Sequence, residues 1–234
     1  METGAAFTPI AVQIAAGLFA GGVVNWLADL LPQMGPQARN GKATTPMDSR
    51  RWWVVMLASV GIFLYVGAVS APLVVGMSVN GSLPLYLYLA LFLLIATIDL
   101  EHRRVLNIVL APLALGSLCL AALQSPSALG GALLSGVGGF ILFFAINLMR
   151  PGAMGAGDVK LAGVIGLIVG FPAFIVALVI GVIAGGVGAS ILMVAGRVSR
   201  KGTLAYAPYL SLGAAIALLH GSQILAWYGQ RLTW

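Results

Sequence analysis

Long apolar runs, broken by short clusters of charge, Pro and Gly, set the pattern of this chain. The runs lie near residues 8–31, 52–79, 83–99, 105–123, 127–149, 159–170, 172–195 and 204–228. A helix needs about 20 apolar residues to cross about 30 Å of hydrocarbon, and most of the runs meet that length. Within lipid a lone segment satisfies its backbone only as a helix, so each run is predicted helical. The expectation is an all-α polytopic membrane protein of about eight transmembrane helices. Seven is the alternative, because the sixth run is short and either merges with its neighbour or starts in the interface. The second run is long, and Pro72 within it predicts a kink.

The basic residues give an independent count, because cytoplasmic links are enriched in Lys and Arg. Arg39, Lys42, Arg50 and Arg51 follow the first run, and Arg103 and Arg104 follow the third. Arg150 and Lys160 flank the link after the fifth, and Arg197, Arg200 and Lys201 follow the seventh. The links around Asn80, Gln124 and Phe171 carry none, which leaves eleven of the twelve basic residues on one side and Arg231 on the other. Both termini are therefore expected outside, with the four basic links in the cytoplasm.

Composition narrows the picture further. Of 234 residues 60% are hydrophobic and 8% charged, which leaves no room for a sizeable soluble domain. The net charge of +6 is scattered through the links, a topology signal rather than a nucleic-acid surface, so no nucleic acid is expected as a partner; the lipid bilayer is. Met1 to Pro9 carry no basic stretch, so the first run reads as a retained helix. Cys119 lies inside an apolar run, offers neither a disulfide pair nor a CxxC half-site, and reads as a packing residue. The 31 glycines read first as close helix contacts in lipid and second as hinges around a site. With no linker and no repeat, residues 1–234 are expected to form a single transmembrane domain.

Six acids remain: Glu2, Asp29, Asp48, Asp99, Glu101 and Asp158. An ionisable group at membrane depth is costly and points to function. Asp99 closes the third run and Asp158 opens the sixth, and the charge alternation puts both on the cytoplasmic side. The plain reading makes Asp158 a helix cap and pairs Asp99 with Arg103. Gly155 and Gly157 favour another reading, since they clear side chains where a peptide backbone could approach. Two carboxyls sharing one proton can hydrolyse an amide, one acting as acid and the other as base. The helix ends would favour Asp158 as the anion and Asp99 as the acid.

Three stretches resemble the aspartic prepilin peptidases, or type IV leader peptidases, among the membrane-embedded GxGD aspartyl proteases. Gly155-Ala-Gly-Asp158-Val-Lys160-Leu is similar to the family's GxGDVKL string. Asp99-Leu-Glu-His-Arg-Arg-Val-Leu-Asn107 resembles its first aspartate motif, and Tyr206-Ala-Pro208-Tyr209-Leu-Ser-Leu-Gly213-Ala resembles PFGPFLxxGA. The resemblance implies Asp99 and Asp158 as catalytic residues, with Gly155, Gly157, Lys160 and Pro208 as substrate-binding or supporting positions. It implies pilin or pseudopilin precursors as partners, and cleavage of their leader peptide at the cytoplasmic face of the inner membrane.

Leu106 stands where the family usually has Pro, and Ala207 where it usually has Gly. The Gly17 to Pro32 stretch resembles a further family motif without its Ser and Arg. In bifunctional members a zinc-binding insert with two CxxC pairs follows, associated with N-methylation; here a short loop, residues 32–51, stands in its place without cysteine. No zinc and no other cofactor is expected, and no residues mark an S-adenosylmethionine pocket.

Lys160 reads either as a partner of Asp158 or as an interfacial lysine reaching outward. His102 reads as a loop residue and His220 as a span-end residue, neither spaced for a metal. Asn25 and Asn107 read as bridges between helices, and Trp52, Trp53, Trp227 and Trp234 as interface anchors. Three rival functions stand beside the resemblance. A small transporter would show repeat symmetry or broken helices at mid-membrane, whereas these acids are expected at the cytoplasmic edge. A non-catalytic assembly component of a pilus or secretion system would have no need of both aspartates. A GxGD protease acting on other membrane peptides would have no need of the extended GxGDVKL and Tyr206 to Ala214 matches.

Overall fold

The computed structural model describes residues 10–34, 49–73, 83–149, 154–196 and 205–232. They form eight α-helices: α1 (Ile10–Leu30), α2 (Ser49–Leu73), α3 (Leu83–His102), α4 (Asn107–Gln124), α5 (Pro126–Met149), α6 (Ala156–Val169), α7 (Ala173–Val194) and α8 (Ala207–Leu232). A short 3-10 turn, Leu31–Met34, follows α1, and no strand occurs among the described residues. Seven of these helices, all but α6, are long and apolar enough to cross a membrane. The chain is an all-α polytopic membrane protein, as its apolar runs predict.

The differences from the sequence reading are local. α2 begins at Ser49, so Arg50 and Arg51 of the expected loop 32–51 lie in a helix, while residues 35–48 of it lie outside the described residues. Beyond Leu73 the second run is likewise outside them, as are Arg150, Arg197, Arg200, Lys201, Trp234 and both chain ends. α3 continues to His102, which puts Asp99 one turn inside the helix and His102 in its last turn. Cys119 is exposed on α4 rather than packed.

The sixth run does not merge with the seventh. At Gly170 the backbone takes φ 70° and ψ 167°, a region that side-chain-bearing residues scarcely enter. Pro172 follows two residues later, and the chain restarts as α7.

By its contacts the chain divides into two compact units, Met1–Thr97 and Ile98–Trp234. In the first, α1 packs on α2 through Gly17, where an added Cβ would stand 2.7 Å from the Cα of Val60. Two polar links reinforce that pair. The Asn25 amide donates to the Trp52 carbonyl at 3.3 Å, a bridge between helices as expected of it, and Arg51 donates to Asp29 at 2.6 Å. Phe63 of α2 stacks on Tyr86 of α3 with ring centroids 4.5 Å apart.

In the second unit α6 is the hub, touching α4, α5, α7 and α8. At 14 residues it is about 21 Å long at about 1.5 Å per residue, too short for a span. Its buried residues, from Asp158 through Gly166 with Lys160 excepted, face protein on nearly every side. Small residues make that enclosure possible. A Cβ added at Gly139 of α5 would lie 2.9 Å from the Ala162 carbonyl oxygen, and one at Gly166 would lie 2.7 Å from the Gly136 nitrogen. α7 and α8 approach as closely: a Cβ at Gly213 would come within 3.0 Å of the Gly181 Cα. Near the C-terminal end of α8 the Arg231 guanidinium lies 5.3 Å from the exposed Trp227 ring.

Candidate active site

Three helix ends of the second unit converge on two acids. α3 stops because Arg103 adopts a left-handed φ of 50°, and its N–H closes the last turn on the Asp99 carbonyl at 2.8 Å. That conformation costs a non-glycine residue about 1–2 kcal/mol. Three further residues carry the chain to Leu106, whose extended backbone starts α4. Asp99 is thereby left one turn above a tight corner, only 4% exposed.

α6 starts at the N-cap Gly155, and Asp158 is its third residue. The Asp158 carboxyl reaches back so that its Oδ2 accepts the Gly155 N–H at 3.2 Å. The plain reading of Asp158 as the N-cap is corrected: Gly155 is the N-cap, and Asp158 reaches back to it from the third helical position, where it is only 6% exposed.

α8 starts after Tyr206, whose carbonyl accepts the N–H groups of Tyr209 at 3.1 Å and Leu210 at 3.3 Å. Half-buried Pro208, second in the helix, has no N–H to place, and a first turn tolerates that. The free donor of this turn, the Ala207 N–H, goes to the Oδ2 of Asp99 at 3.2 Å. Asp99 thus caps a helix that begins 108 residues later.

The two acids interact. The charge of Asp99 is felt at Asp158, that of Arg103 at Asp99, and that of Asp158 at the Tyr206 phenol. Each carboxyl accepts one main-chain N–H at 3.2 Å. Their titration belongs to the pair.

The supporting residues divide. An added Cβ at Gly157 would stand 2.9 Å from the Cβ of Val105, so its missing side chain makes room for the α3–α4 corner. Gly155 has an ordinary φ of −71°, and a Cβ there would crowd the Asp158 Oδ2 at 3.3 Å. Lys160 points outward and donates to the Asn107 Oδ1 at 3.1 Å, linking α6 to α4. His102 lies 3.9 Å from the neighbouring Glu101. The sequence reading missed Val105 and the Ala207 N–H; the Tyr206 to Ala214 motif marked the place but not the donor.

Residues 86–190, which include both aspartates, match the type IV leader peptidase family. A curated relative from Bacillus subtilis (strain 168), described as a prepilin leader peptidase/N-methyltransferase, is 28% identical over 146 residues. That alignment takes in 62% of this chain and 58% of the relative's length. No solved structure matches the chain significantly. The part of this chain that carries both aspartates, residues 86–190, is thus the part that is similar to the type IV leader peptidases.

Proposed function

We propose that this chain is an aspartic endopeptidase of the membrane that removes the leader peptide from type IV pilin-like precursors, with Asp99 and Asp158 as its catalytic pair. One observation carries the reading: the family match contains two buried aspartates, distant in sequence, that sit at helix ends of one compact unit, with the charge of Asp99 acting on Asp158. In the proposed reaction the ionised carboxyl takes a proton from water as the water oxygen attacks the scissile carbonyl carbon. The protonated carboxyl gives its proton to the carbonyl oxygen. Collapse of the tetrahedral adduct breaks the C–N bond, the departing amine takes up a proton, and a carboxylic acid and an amine remain.

The basic residues that flank the two acids, Arg103 and Arg104 beside Asp99 and Arg150 and Lys160 around Asp158, support a cytoplasmic-facing site in the inner membrane. A pilin-like precursor suits such a site, since its basic leader would stay in the cytoplasm while its apolar helix lies in lipid. The curated relative's description also includes N-methyl transfer. We propose only the peptidase activity, because residues 32–51 contain none of the cysteines that accompany the second activity in bifunctional members.

Co-expression of a type IV prepilin with the native chain, Asp99→Asn or Asp158→Asn tests the reading. Cleavage by the native chain and by neither variant is the expected result. An uncut prepilin with native chain would favour an assembly role or another substrate, and cleavage surviving either substitution would refute the pair.

A further inference from the structure

The corner that follows Asp99 and the helix that carries Asp158 touch at two points. On α6 these are Gly157 and Lys160, three residues apart and therefore on one face of the helix. On the corner they are Val105 and Asn107. Leu106 between them is extended, with φ −84° and ψ 125°, which directs both of its neighbours to one side. The two spacings match. A Cβ added at Gly157 would stand 2.9 Å from the Cβ of Val105, and the Lys160 Nζ donates to the Asn107 Oδ1 at 3.1 Å. Asp158 lies between the two points in sequence and is itself buried, as is Asp99 four residues before the corner begins at Arg103.

A single contact would fix a distance and leave α6 free to turn about it. Two contacts fix its rotation as well, and with it the angle at which the Asp158 carboxyl leaves the helix. Stability does not account for the second contact. Lys160 and Asn107 are both exposed, so their hydrogen bond competes with water and adds little to the folded state. Asn107 is also the first residue of α4, and the positive dipole end of a helix is a poor place for an ammonium.

We propose that Lys160 and Asn107 are a positioning pair: their hydrogen bond, acting with the contact of Gly157 and Val105, locks the start of α6 against the α3–α4 corner and so sets the geometry of the two aspartates. The proposal rests on the peptidase reading of Asp99 and Asp158. Lys160 acts in it through Asn107, neither by its charge on Asp158 nor by touching substrate.

The test measures kcat and KM on a type IV prepilin for the full-length chain in membranes, with melting temperature in detergent. It compares native chain, Asn107→Ala, Lys160→Met, these two combined, Asn107→Asp and Asp158→Asn. Asn107→Ala breaks the bond without changing any charge, and should lower kcat about tenfold while KM and melting temperature stay near native. Lys160→Met should do the same, and the combined variant should be no slower than either single one. Asn107→Asp keeps an acceptor for the ammonium and should retain most of the native kcat. A native kcat in Asn107→Ala, with Asp158→Asn inactive, overturns this proposal and leaves the peptidase reading intact; a slow Lys160→Met beside it would show that the lysine acts by its charge. A rise in KM at constant kcat overturns the proposal in favour of substrate contact. A melting temperature that falls in step with activity overturns it in favour of packing. A folded native chain that leaves prepilin uncut overturns the peptidase reading itself, and this proposal with it.

Discussion

The carboxylate of Asp99 and the main-chain nitrogen of Ala207 are joined at 3.2 Å across 108 residues of sequence, so the acid at the end of α3 also starts α8. Asp99→Asn keeps an oxygen acceptor for that N–H, while Asp99→Leu removes it. The asparagine variant should lose cleavage but stay within about 1 kcal/mol of native stability, and the leucine variant should lose about 1–3 kcal/mol for a buried donor left unpaired. Thermal melts in one detergent distinguish the two, and equal melting of both variants would deny the bond a structural role.

Because the two carboxyls share a field, they should report on each other during titration. At low pH both are protonated and the base is missing, so the cleavage rate falls as pH falls. At high pH both are ionised and the acid is missing, so it falls as pH rises. The expected kcat/KM profile is a bell whose two limbs belong to the pair. A profile flat through the acidic range would argue against the mechanism.

Gly157 and Val105 form a second measurable pair. Gly157→Ala should cost about 1–3 kcal/mol by overpacking, and the further change Val105→Ala should recover part of that loss. A double-mutant cycle on melting free energies gives the coupling, and strict additivity would show that the α3–α4 corner yields freely.

Gly170 ends α6 in a conformation that other residues scarcely enter. Gly170→Ala should destabilise the protein by about 1–3 kcal/mol although no neighbouring atom would crowd the new methyl group. Chemical denaturation in mixed micelles would measure the loss, and a neutral result would mean the turn relaxes without strain.

Asp29 and Arg51 tie α1 to α2 at 2.6 Å, with Asp29 partly open to its surroundings. Reversing either charge alone should lower stability, and the double exchange Asp29→Arg with Arg51→Asp should restore part of it. The expected coupling is about 0.5–1 kcal/mol, read from the melting of all four proteins.

The helices were legible because lipid enforces a length and a polarity that soluble proteins need not obey. Asp99 and Asp158 were legible for the same reason: charge is scarce in such a chain. The enclosed position of α6 was not legible, since a helix that is apolar all round carries no stripe to say which side meets protein. Cys119 misled for a related reason, because apolar surroundings in sequence do not imply burial when the outer face meets hydrocarbon. The Ala207 N–H escaped notice because a backbone donor leaves no trace in residue type.

The enclosure of α6 has a consequence for the bilayer around it. A span adapts to a thicker or thinner membrane by tilting, and carries its side chains with it. α6 meets four protein neighbours instead of lipid, and its second turn is held through Lys160 to Asn107. The depth of Asp158 therefore follows the protein rather than the acyl chains, so the spacing of the two acids should be insulated from hydrophobic mismatch while the outer helices absorb it.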